Sequence, residues 1–162
     1  MGTVRIIGGI WRGRKLPVVD RPGLRPTPDR LRETVFNWLQ GKLIGACCLD
    51  LFAGTGALGF EALSRGARVA VMIEPDPLVR AQLEASQRAL HASAFIYAGR
   101  FPDQLPPLTE GPFDLVFLDP PFQQELLQPA LAWLIGRGLL TAHAHIYVEC
   151  EPTHTFVCPP GW

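Results

Sequence analysis

Five short stretches of the chain are apolar at almost every position: 46–52 (ACCLDLF), 68–74 (RVAVMIE), 94–98 (AFIYA), 113–118 (FDLVFL) and 144–150 (AHIYVEC). Runs of this length without alternation predict strands buried on both faces. Between them the period lengthens. Leu31, Val35 and Leu39 recur every four residues and predict a helix over 28–40, with Thr27 as N-cap and Pro28 at its first position. A second helix follows the glycines after 52 and runs to about Arg65, closed by Gly66. Leu78, Val79, Leu83 and Leu90 mark a third, and 124–135 a fourth. The proline-rich 102–112 region and RPGLRPTP (21–28) read as loops. Val4–Val18 alternates loosely around Gly8, Gly9 and Gly13, predicting two short strands joined by a turn.

Strand–helix alternation implies an α/β fold with a doubly wound, mainly parallel sheet. We expect one domain over 1–162, with a basic N-terminal hairpin extension at 1–22 and a core at 23–162. The length suits one domain with a sizeable core. No run of 18 or more apolar residues exists, and no apolar segment near the N-terminus resembles a secretory signal. Four cysteines without C-x-x-C spacing, two of them (Cys47, Cys48) in an apolar run, read as free thiols in a reducing cytoplasm. His143 and His145 would share a strand face, but no third ligand stands out, so no metal is expected.

The zero net charge hides an asymmetry. Residues 1–42 carry nine Lys/Arg against three Asp/Glu, and the remainder carries six against twelve. A basic end on an acidic body suggests contact with a polyanion, although a solvated charged surface has the same composition.

Residues 54–59, GTGALG, form a G-x-G-x-x-G turn after a strand, and Glu74 ends the next strand. Such glycines let the backbone approach a nucleotide cofactor, and the acid suits a ribose hydroxyl pair. A tight turn without a ligand, or a dinucleotide site, would carry the same motif. Asp50, just before the turn, argues against a pyrophosphate and for a cationic group, such as the ammonium and sulfonium of S-adenosylmethionine. In FLDPPF (117–122) two prolines end a strand and leave Asp119 on a stiff corner. A carboxylate and the Pro120 carbonyl there could each accept one N–H of an exocyclic amine and so direct its conjugated lone pair, while Phe122 stacks on the base. A purely structural Asp-Pro-Pro turn is the plainer alternative.

Asp50-Leu-Phe-Ala-Gly-Thr-Gly56 together with Asp119-Pro-Pro-Phe122 resembles the amino-methyltransferase class of S-adenosylmethionine-dependent enzymes. RIIGGIWRGRKLPV (5–18), GLRPTPDRLRETVFNWL (23–39) and IYVECE (146–151) narrow the likeness to the bacterial 16S ribosomal RNA guanine-N2 methyltransferases. The resemblance implies the Rossmann-like class I methyltransferase fold. It implies that Asp50, Phe52, Ala53, Gly54, Thr55, Gly56 and Glu74 hold S-adenosyl-L-methionine. Asp119, Pro120, Pro121 and Phe122 would form the catalytic corner, and Arg5, Arg12, Arg14, Lys15, Arg25 and Arg30 would meet RNA phosphates. The implied partner is ribosomal RNA, within a small-subunit particle, bound by a cytoplasmic monomer with no membrane contact. Two departures stand out. The class often has an Asp or Asn near the adenine after the third strand, where this chain has Tyr97-Ala98-Gly99-Arg100, with Asp103 farther on. The family's final β-hairpin is expected to be missing after PPGW (159–162), leaving the fifth strand an exposed edge. A DNA or protein amino-methyltransferase and a non-catalytic RNA-binding module stay open as alternatives.

Overall fold

A computed structural model describes residues 2–121, 124–153 and 155–162. Two strands, β1 (Gly2–Arg5) and β2 (Lys15–Val18), pair antiparallel, with a single 3-10 turn at Gly9–Trp11 between them. Helix α1 (Asp29–Trp38) follows, and then strands and helices alternate: β3 (Cys47–Asp50), α2 (Ala57–Ser64), β4 (Val69–Glu74), α3 (Pro77–Leu90), β5 (Ala94–Ala98), β6 (Phe113–Leu118), α4 (Leu127–Gly136) and β7 (Leu140–Val148). The five-stranded sheet has the order β5-β4-β3-β6-β7, and every pairing in it is parallel. The order reverses beside β3, the point at which open α/β sheets bind ligands.

The apolar runs form central strands because both faces are covered. Cys48, Ala70, Met72, Leu115 and Phe117 face one core, shared with α1, α2, α3 and the hairpin residues Val4, Ile6, Leu16 and Val18. Cys47, Leu49, Val71, Ile73, Val116 and Leu118 face the other, filled by Leu127, Ala130, Leu131 and Leu134 of α4. The hairpin is therefore part of the main core, and buried polar groups anchor it there. Glu61 of α2, fully buried, accepts the amides of Ile7 and Gly8, both at 2.9 Å, and pairs with Arg32 of α1 at 3.1 Å and Arg65 at 2.9 Å. Arg32 is equally buried and also reaches Asp29 and the Thr27 carbonyl.

Three expectations change. Helix α1 starts at Asp29 with Pro28 as its N-cap, and no side chain caps it. Thr27 instead turns its hydroxyl toward Asp119. Helix α4 begins later than its apolar pattern suggested, at Leu127. β7 starts earlier, at Leu140, because its pairing with β6 tolerates an irregular register between Phe113 and Leu115. β7 is an edge of the sheet, and its residues are at most half-buried.

Candidate active site

Parallel pairing brings the carboxyl ends of β3, β4, β6 and β7 to one rim, and each of those ends carries an acid. Asp50 is the last residue of β3 and Glu74 of β4. Asp119 directly follows β6, and Glu149 directly follows β7.

The turn after β3 is built as its glycines require. Gly54 and Gly56 have φ of +54° and +79°, a region that side-chain-bearing residues rarely enter. A Cβ on Gly56 would also lie 2.6 Å from Leu83 and 2.8 Å from Phe60. The Gly54 amide donates to Glu74 Oε2 at 3.0 Å, and the Asp76 amide to Oε1 at 3.0 Å. Each oxygen of Glu74 thus takes one backbone donor and keeps a lone pair. Burial raises its pKa, and those two amides partly offset the rise. The Thr55 hydroxyl accepts the Ala57 amide at 3.3 Å, and the Ala53 amide bonds the Ile73 carbonyl at 3.1 Å. The half-buried ring of Phe52 meets Phe101 edge-on at 6.2 Å.

Asp50 is the unusual member. It is 1% exposed, and among the described residues neither carboxylate oxygen has a hydrogen-bond partner of ordinary geometry. Burial pushes its pKa up to about 8, and the charges of Asp119 and Glu74 add to the rise. The Gly59 and Phe52 amides oppose it only in part. An orphaned carboxyl beside a nucleotide-type turn suits a ligand that brings a cation and N–H donors, because a buried charge needs a partner. The donor set therefore fits the α-ammonium of S-adenosylmethionine.

Burial likewise raises Asp119, up to about 7, and the facing carboxyl of Glu149 adds to the effect, with Thr27 opposing it. Pro120 is half-buried beside it and Pro121 is exposed. Phe122 lies outside the described residues. Residues 19–28 cross the rim as a strap. Arg21 pairs with Asp76 beyond β4 at 2.8 Å, Leu24 lies over Gly54, and Thr27 faces Asp119 beyond β6. Sequence reasoning saw this strap only as a loop, and it missed Arg32, Glu61, Thr27 and Glu149. For Arg32, Glu61 and Glu149 the one available signal was charge within apolar helical or strand patterns.

The basic residues Arg5, Arg12, Arg14, Lys15, Arg25 and Arg30 are all exposed, on the hairpin, the strap and the start of α1. Within β5 the Tyr97 hydroxyl donates to Glu110; beyond it Arg100 bridges to Gln104, and Asp103 is exposed. No helix among the described residues is long and apolar enough to cross a membrane.

A parallel sheet in this order, with a glycine turn after its central strand, is the class I methyltransferase fold. A solved structure of the Escherichia coli protein yhhF superposes with a TM-score of 0.85 at 48% identity, covering 99% of this chain and 88% of that one. The Haemophilus influenzae protein HI0767 gives 0.82 at 42% identity, with 98% and 87% covered. Residues 4–162 match the family described as Conserved hypothetical protein 95. The Escherichia coli K12 protein named ribosomal RNA small subunit methyltransferase D is 49% identical, over 99% of this chain and 82% of its own. Its Haemophilus influenzae namesake is 44% identical, over 99% and 86%. The chain belongs to the ribosomal RNA small subunit methyltransferase D family.

Proposed function

We propose that the protein is an S-adenosylmethionine-dependent methyltransferase acting on the exocyclic N2 amine of a guanine in small-subunit (16S) ribosomal RNA. The observation that carries this reading is a pair of carboxyls at adjacent strand ends: Asp50, buried beside the glycine turn, and Asp119, half-buried on the rigid proline corner. When bound, S-adenosylmethionine supplies an electrophilic methyl group. Asp50 would hold its ammonium, the backbone amides of 53–56 would approach it, and Glu74 would accept its ribose hydroxyls. Asp119 and the Pro120 carbonyl each accept one N–H of the target amine and hold its lone pair toward the methyl. Such positioning supplies several kcal/mol of a barrier, up to about 7–11 in ideal cases. As the nitrogen gains carbon it sheds a proton, and a carboxyl with a pKa near 7 both takes that proton and releases it at neutral pH. The exposed cations of the hairpin, strap and α1 hold the RNA backbone, and the target base is unstacked to enter the site. The protein is read as a cytoplasmic monomer that meets its RNA in an assembling small-subunit particle.

The test is transfer of labelled methyl to small-subunit particles, naked ribosomal RNA and DNA, followed by nucleoside mapping. N2-methylguanine in the particle or RNA is expected. Label on DNA alone overturns the assignment.

A further inference from the structure

The sheet places Glu149 beside Asp119 at the rim. Leu118 and Val148 are register partners in the parallel β6–β7 pair, so the residues that follow them emerge side by side. The Glu149 amide donates to the Leu118 carbonyl at 2.9 Å, which fixes that register to the last residue. The Glu149 carboxyl faces that of Asp119, and together with Pro120, Pro121 and Cys150 it lines a small hollow. Each carboxyl has one hydroxyl behind it. Tyr147 donates to Glu149 Oε2 at 3.3 Å, and Thr27 faces Asp119. Neither carboxyl pairs with a Lys or Arg among the described residues.

Two facing acceptors with no paired cation among the described residues suit a ligand that brings neighbouring N–H donors. Guanine offers these on one edge, with N1–H beside the N2 amine. Adenine offers an amine beside an unprotonated N1, and that lone pair would face the second carboxylate. We propose that Glu149 is the residue that selects guanine, its carboxylate accepting N1–H while Asp119 accepts from the exocyclic amine. The proposal rests on the methyl-transfer reading above. In the free protein the two carboxyls face each other, and the incoming base would place one N–H donor on each.

The experiment first establishes the reaction. Wild-type protein is incubated with labelled S-adenosylmethionine and small-subunit particles from cells lacking the protein, and the acceptor is mapped. If no guanine is labelled, the functional reading itself fails. The mapped guanine is then replaced by 2-aminopurine, which keeps the amine and lacks N1–H, in reconstituted particles. Wild type is expected to lose about 10–100-fold in kcat/KM on this analogue, the worth of one charged hydrogen bond. Glu149→Gln, whose amide can donate to the unprotonated N1, is slower on guanine and brings the two substrates to within about three-fold of each other. Tyr147→Phe, which removes the hydroxyl behind Glu149, narrows the gap in the same direction but less. Calorimetry with S-adenosylhomocysteine checks that each variant retains a folded cofactor site. A wild-type enzyme indifferent to the analogue overturns the proposal, as does a folded Glu149→Gln with the wild-type ratio.

Discussion

Replacing Asp50 by Asn isolates the cost of holding a buried charge that two backbone amides offset only in part. The side chain is 1% exposed, with no hydrogen bond of ordinary geometry among the described residues, so shape changes little and a neutral amide replaces an ionisable group. Burial, with the Asp119 and Glu74 charges, pushes the folded pKa up to about 8 from an ordinary 3.8. A carboxyl raised in this way favours the folded state most fully below its unfolded pKa, and that contribution is lost as pH rises toward the folded value. The loss is ~1.4 kcal/mol per pH unit across the window. Between pH 5 and pH 7 wild type should therefore lose about 3 kcal/mol through this one residue, and Asp50→Asn should not. The asparagine amide carries its own unsatisfied cost, about 1–3 kcal/mol, but that offset does not vary with pH. Urea titrations of both proteins at half-unit pH steps give the difference in unfolding free energy. It should tilt steadily in favour of the variant as pH rises, while S-adenosylhomocysteine stabilises wild type much more than the variant. Parallel stability–pH curves would refute the argument that this carboxyl is held against its ionisation for a ligand.

Asp119→Ala should abolish methyl incorporation while leaving cofactor affinity by calorimetry within a few-fold of wild type; a variant at the wild-type rate would remove Asp119 from the chemistry. Because Asp119 accepts N–H strongly and can take the amine's proton only when ionised, kcat/KM should rise with pH through about 7, its raised pKa, and fall off on the acid side. A flat profile from pH 6 to pH 8 would contradict that. Arg32→Met leaves Glu61 short of one cation in a fully buried network and should cost about 3–5 kcal/mol in urea unfolding. Arg12→Ala with Arg14→Ala should flatten the dependence of log RNA affinity on log salt by about 0.7–0.9 per lost phosphate contact. An unchanged slope would place the RNA elsewhere.

Much of the fold was legible because the period of the pattern carries it. Strands such as Val69–Glu74 are covered on both faces, so they read as unbroken apolar runs and stood out without any knowledge of their neighbours. Gly54 and Gly56 were legible because few residues other than glycine accept their φ, and Asp119 because Pro120 and Pro121 must end the ladder. Local rules failed where a tertiary partner outbid them. Thr27 carried an N-cap signature, but Asp119 stands close enough to face its hydroxyl, and the helix begins without it.

Composition, periodicity and backbone sterics are properties of the chain itself. They sufficed for the α/β class, the glycine turn, the proline corner and the basic hairpin. Strand order and register are relations between distant segments. Only they set Asp50, Glu74, Asp119 and Glu149 on one rim, drew residues 19–28 across it, and buried Arg32 against Glu61. No single stretch of sequence contains those distances, and burial at that rim, with the neighbouring carboxyl charges adding to it, raises Asp50 and Asp119 to about 8 and about 7.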